Sequence, residues 1–128
     1  MLLIIAVVGS TTVLAQKESV AAVKFKETVY DFGIFPEEAG DVSHTFKFSN
    51  TGKGILIVQN VQASCGCTAP SWTKEPIPPR GKGDIEVTYK ATGRPGAFTK
   101  TINVTTNVGT EVLTIKGEVI PKNQNKEE

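Results

Sequence analysis

Leucine and methionine are almost missing from this chain once its first fifteen residues are set aside. After Ala15 only Leu56 and Leu113 remain and there is no methionine, whereas Val, Ile and Thr number 11, 8 and 13. Helical domains lean on unbranched side chains of high helix propensity. Branching at Cβ instead stiffens a side chain in a way that suits a pleated surface. The shortage excludes a helical bundle, and the expected fold is all-β. An excess of one charge is lacking too. Fourteen basic and thirteen acidic residues all follow Ala15 and nearly cancel, which excludes a basic nucleic-acid surface and a polyanionic tail. Cysteine is confined to Cys65 and Cys67, histidine to His44 and tryptophan to Trp72. Reactive chemistry therefore has few places to reside.

One apolar run stands out. Residues 1–15 carry no charge and end in Val13-Leu14-Ala15 before Gln16. That is the pattern of a signal-peptide hydrophobic region and its small-residue cleavage site, and at ~14 residues it is too short to span a bilayer comfortably. The expectation is export to the periplasm or the extracellular space with 113 residues retained, enough for one domain with a real core. The expected organisation is a signal peptide at 1–15, a short linker at 16–20, a β-sandwich over 21–121 and a disordered polar tail at 122–128. No span crosses the membrane in the exported part.

The rest resolves into short alternating runs separated by turn residues. Ala22–Phe25 and Thr28–Phe32 read as an edge pair or one bent strand, and Gly33 with Pro36–Asp41 as a polar connection. From Val42 onward, Val42, His44, Phe46 and Phe48 share one face. Asn50-Thr51-Gly52-Lys53-Gly54 reads as a turn whose glycines are free to take positive φ. In the run from Ile55 to Ala63, Ile55, Ile57 and Val61 fall on one side and Leu56 and Val58 on the other. Pro70, Pro76, Pro78 and Pro79 forbid a central strand between Ala69 and Gly83. Ile85, Val87 and Tyr89, then Phe98, Ile102 and Val104, then Leu113, Ile115 and Val119 supply three further inward rows. The pattern fits an immunoglobulin-like two-sheet antiparallel sandwich of about seven strands, its core holding Phe46, Phe48, Ile57, Val61, Val87, Tyr89, Ile102, Val104 and Ile115.

Asn50-Thr51-Gly52, then Ala63-Ser64-Cys65-Gly66-Cys67-Thr68, Trp72 and Pro79-Arg80-Gly81-Lys82-Gly83 closely resemble a family of secreted bacterial Ig-like domains of unknown function. The likeness runs from about Val29 to Val119, and the Ser-Cys-Gly-Cys-Thr block is its most specific part. That family is similar in turn to Hydin and major-sperm-protein modules, which mostly bind other proteins. The resemblance implies export and an interaction role, with a protein or a cell-envelope component as partner, no enzymatic activity and no cofactor.

The cysteine pair keeps three readings open. Two thiols this close tend to oxidise outside the cytosol, and Gly66 permits the bend that the bond needs. The result is a structural clasp, a thiol–disulfide exchange site, or, with His44 as a further donor, a cuprous site. Zinc wants four ligands, which the chain does not offer here. His44 on an apolar face reads more simply as a hydrogen-bonded core residue. Asp31, Asp41, Asp84, Glu86, Glu111 and Glu118 show no acid–base pairing, and a Cys–His dyad lacks a third, orienting residue, so no catalytic residues are expected. Trp72 with Pro76, Pro78 and Pro79 reads either as a lid on the sandwich or as a partner-binding surface.

Overall fold

A computed structural model describes residues 19–122. The signal segment, all but the last two linker residues (Ser19 and Val20) and the tail beyond Lys122 lie outside them. Among the described residues eight strands form: β1 Val23–Phe25, β2 Val29–Pro36, β3 Val42–Asn50, β4 Val58–Ala63, β5 Thr68–Trp72, β6 Lys82–Tyr89, β7 Gly96–Thr106 and β8 Gly109–Ile120. They make two four-stranded sheets, ordered β1-β3-β6-β5 and β2-β8-β7-β4. This is the expected sandwich with one strand more and one exception to its antiparallel order: β2 runs parallel to β8.

The exception has a local cause. β1 and β2 form one extended stretch that leaves β3 at Lys26, whose N–H still bonds Lys47 O, and joins β8 at Thr28, whose carbonyl accepts from Thr114 N–H. The stretch therefore changes sheets, and arrives beside β8 in the same direction. Along β2 the register shifts between Asp31 and Ile34. Gly33 takes φ +75° there and its N–H is held by Asp31 Oδ1 at 2.8 Å, a β-bulge that throws Ile34 outward to 71% exposure. Gly33 and Pro36 thus belong to a strand, not to the polar connection expected.

A second bulge corrects the core. β4 slips against β7 between Val58 and Asn60, so Val58 and Val61, three residues apart, both point inward. Leu56 and Val58 are buried, while Ile57 is 39% exposed and Ile55 more so. Ile57 leaves the expected core list; its other eight members are all buried. β3 and β6 meet with Phe46 opposite Ile85 and His44 opposite Val87, and the β7–β8 hairpin sets Ile102 against Leu113. Ile85, Ile102, Leu113 and Ile115 are fully enclosed between the sheets.

Gly52 and Gly54 do not use positive φ. They make room: a Cβ on Gly52 would strike the backbone of Val20–Ala22 and one on Gly54 that of Ser19, where the N-terminal segment crosses the turn. Among the described residues no helix is long and apolar enough to cross a membrane.

Candidate functional site

The chain crosses between the sheets five times, and the chemistry-bearing side chains sit near two of those crossings, β1 to β2 and β4 to β5. Ser64-Cys65-Gly66-Cys67 carries β4 of one sheet into β5 of the other. Ser64 closes the end of β4, its N–H bonding Thr101 O at 2.9 Å and its Oγ accepting from Thr101 N–H at 3.3 Å. Cys67 O accepts from Lys90 N–H at 2.8 Å. Cys65 and Cys67 are joined as a disulfide with Cα atoms 5.3 Å apart. Gly66 does not use positive φ, so the freedom expected of it is not needed. A Cβ there would meet nothing within 4 Å, and Gly66 itself is exposed between the two cysteines.

The two sulfurs differ. Cys67 is buried at 5% exposure, while Cys65 is only partly covered. Cys67 N–H points at Cys65 Sγ from 3.3 Å, and the buried Thr68 hydroxyl lies 3.9 Å from Cys65 Sγ and 3.7 Å from Cys67 Sγ.

His44 is elsewhere. Thr68 pairs with Tyr89 and Tyr89 with Val42, which puts His44 two strands across and further down the sheet. Its Nε2 meets the Glu27 carboxylate, and its ring stacks on Tyr30 with centroids 3.6 Å apart. Glu27 lies where β1 passes into β2, so His44 staples the first crossing from the facing sheet. Among the described residues no group of three or more His, Cys, Asp or Glu side chains is gathered. The cysteines and His44, the candidate copper donors, are not brought together.

Trp72 ends β5, a free edge strand whose Pro70 is tolerated because no further strand needs its missing N–H. Thr68, Pro70 and Trp72 face inward in alternation, and Trp72 packs half-buried against the core opposite Ile85. It closes the side of the sandwich, not the end. Lys74 Nζ sits 4.4 Å from the ring centroid, a cation–π contact on the open face. A depression of about 190 Å³ beside it is lined by Ser71, Trp72, Thr73, Asp84 and Glu86.

Pro76, Pro78 and Pro79 are exposed around one buried residue, Ile77. Ile77 is locked by reciprocal bonds with Leu56, N–H to O at 2.8 and 2.9 Å. Asn50, 1% exposed, completes the anchor: its Nδ2 donates to Gly54 O at 2.7 Å and Ile77 O at 2.9 Å, while its Oδ1 accepts from Gly52 N–H at 3.0 Å and Ala22 N–H at 3.2 Å. In the sequence Asn50 reads as part of a turn, and neither Thr68 nor Ile77 shows a role of its own. The available signals were an asparagine opening Asn-Thr-Gly and a lone isoleucine among prolines.

One carboxylate is electrostatically distinct. Glu37 accepts from the backbone N–H groups of Lys122 at 3.0 Å and Gly93 at 2.6 Å. Those bonds, Lys122's first, hold its carboxyl below the ordinary value.

Fold and site together define an immunoglobulin-like two-sheet β-sandwich with a disulfide at one crossing and a tryptophan–proline surface along one edge. Residues 23–119 match the DUF1573 family, described as a protein of unknown function, and the chain belongs to that family. No curated protein matches it. A protein of unknown function from Porphyromonas gingivalis W83 is similar at 16% identity and TM-score 0.67, over 77% of this chain and 46% of that one. The chain thus spans less than half of that structure. PapD-like domain 7 of human CEP192 is similar at 12% identity and TM-score 0.59, over 79% and 87% of the two chains. The Pseudomonas aeruginosa CupB2 chaperone is similar at 14% identity and TM-score 0.53, over 75% and 55%. At these identities the likeness is one of fold.

Proposed function

We propose that this chain is an exported, non-enzymatic binding module that holds another protein or a cell-envelope component through the Trp72–Pro79 edge. The observation that carries the reading is how firmly that edge is held. Ile77 is pinned by Leu56 and Asn50, and Trp72 is fixed against the core by β5 pairing. A surface already ordered before contact loses little entropy on binding, and a half-open tryptophan is a typical hot-spot anchor. Prolines at 76, 78 and 79 add exposed apolar area with little freedom to lose.

The resemblance to Hydin and major-sperm-protein modules points the same way, as does a fold neighbour named a chaperone. The apolar segment 1–15 supports export, and an exported module meets its partner in the periplasm or outside the cell. The test is site-specific photocrosslinking in the native host. A crosslinker at position 76 or 78 is expected to capture a discrete partner, and one at Val112, exposed on the opposite sheet, is not. Equal capture from both positions, or none from the proline loop, refutes the reading.

A further inference from the structure

We propose that the Cys65–Cys67 disulfide exchanges with incoming cysteine thiolates, with Cys65 as the sulfur attacked and Cys67 as the leaving group. Two observations converge on this assignment. First, access is unequal: Cys65 is partly open, Cys67 is buried, and no side chain at Gly66 shields the pair. Attack falls on the sulfur that can be reached.

Second, donors are already in place for the thiolates that reduction creates. Cys67 N–H faces Cys65 Sγ at 3.3 Å. The Thr68 hydroxyl, buried at 5% exposure, has both sulfurs within 4 Å. A disulfide sulfur is a poor acceptor and a thiolate a strong, charge-assisted one, so both donors favour the reduced state.

The chemistry balances without another reagent. A cysteine thiolate attacks Cys65 Sγ, the Sγ–Sγ bond breaks, and Cys67 leaves with the electron pair, accepts from Thr68 and takes a proton from water. A second thiolate attacks the partner's sulfur in the mixed disulfide and releases Cys65 as a thiolate stabilised by Cys67 N–H. Two electrons have then passed to the protein, and the two attacking thiols are joined. In reverse, Cys65 attacks a partner disulfide and Cys67 resolves the adduct. This exchange is separate from partner binding at the Trp72 edge, and either stands if the other fails.

The test uses the exported chain with reduced glutathione and with a reduced, unfolded cysteine-containing protein as probes. The wild-type disulfide is expected to titrate within a glutathione buffer series, and the probe that reacts faster identifies whether small thiols or polypeptides are the source. With each serine variant checked for folding, Cys67→Ser, which keeps Cys65, is expected to form mixed disulfides about tenfold faster than Cys65→Ser. Thr68→Val is expected to lower the equilibrium constant for reduction by glutathione about tenfold, with Thr68→Ser restoring it. A disulfide that stays oxidised across the whole series, faster reaction at Cys67 than at Cys65, or a Thr68→Val titration identical to wild type overturns the assignment. The wild-type titration decides the matter even if a variant does not fold.

Discussion

Replacing Asn50 with alanine removes four hydrogen bonds made by a side chain that itself has almost no access to water. Ile77 O keeps its bond from Leu56 N–H, which leaves three backbone groups short of a partner: Ala22 N–H, Gly52 N–H and Gly54 O. An unsatisfied buried polar group costs about 1–3 kcal/mol, and water can reach part of the Ala22–Gly52 side, so the sum is about 3–5 kcal/mol. Against a typical stability of about 5–15 kcal/mol that is a large share, equivalent to roughly 15–20 °C in melting temperature for a domain of this size. Asn50→Asp separates the two halves of the network. It still accepts from Gly52 and Ala22 but turns a carboxylate oxygen onto two carbonyls. Its folded-state pKa is therefore raised, and its destabilisation should be greatest at neutral pH and shrink as acid protonates the carboxyl. Urea unfolding of both variants across pH reads these effects, and hydrogen exchange should speed up at Ala22 and Gly52. A loss below about 1 kcal/mol for Asn50→Ala, or an Asp variant as stable as wild type at neutral pH, refutes the claim that this side chain pins the proline loop.

Three further outcomes follow from the packing and the charges. Ile102→Ala should cost about 2–5 kcal/mol in chemical denaturation, and Ile57→Ala less than about 1, because the bulge in β4 turns Ile57 outward; equal losses would mean the bulge is misplaced. Gly83→Ala should be destabilising by about 1–3 kcal/mol, since its Cβ would strike the Phe48 ring and lie 2.8 Å from Ile77 Cδ1; an unchanged melting curve contradicts that packing. Glu37 has its folded-state pKa depressed by the two backbone bonds, so its contribution is present above its unfolded pKa and lost as pH falls through the folded one. Melting temperatures of wild type and Glu37→Gln should therefore differ at neutral pH and converge in acid, whereas a gap that persists at low pH would exclude this linkage.

The strands with strict two-residue alternation, β3, β6, β7 and β8, were legible because local pattern alone decides which face is buried. Phe46, Val87, Ile102 and Ile115 sit where that pattern puts them. What alternation cannot carry is a slip. Gln59 and Gly33 each lie in a one-residue bulge that shifts the alternation, so Ile57 falls outside the core row that Val61 joins, and Gly33 and Pro36 belong to a strand where local pattern reads as a polar connection. The parallel β2–β8 pairing was hidden because sheet membership depends on a partner some 85 residues away, not on Val29–Pro36 themselves. At the site, Cys65, Cys67 and Trp72 stood out by rarity. Thr68 and Asn50 did not, since threonine and asparagine are ordinary in such a chain and only their burial marks them.

The central claim, binding through the Trp72 edge, is tested most directly on the partner captured from the proline loop. Its affinity should be measured for wild type, Trp72→Ala and the double variant Cys65→Ser with Cys67→Ser, each verified as folded. Loss of a hot-spot aromatic costs about 1.4 kcal/mol or more, so Trp72→Ala should weaken binding at least about tenfold, while the double serine variant stays within about twofold of wild type. Binding that survives Trp72→Ala and disappears with the two cysteines would contradict the account and make the disulfide the seat of function.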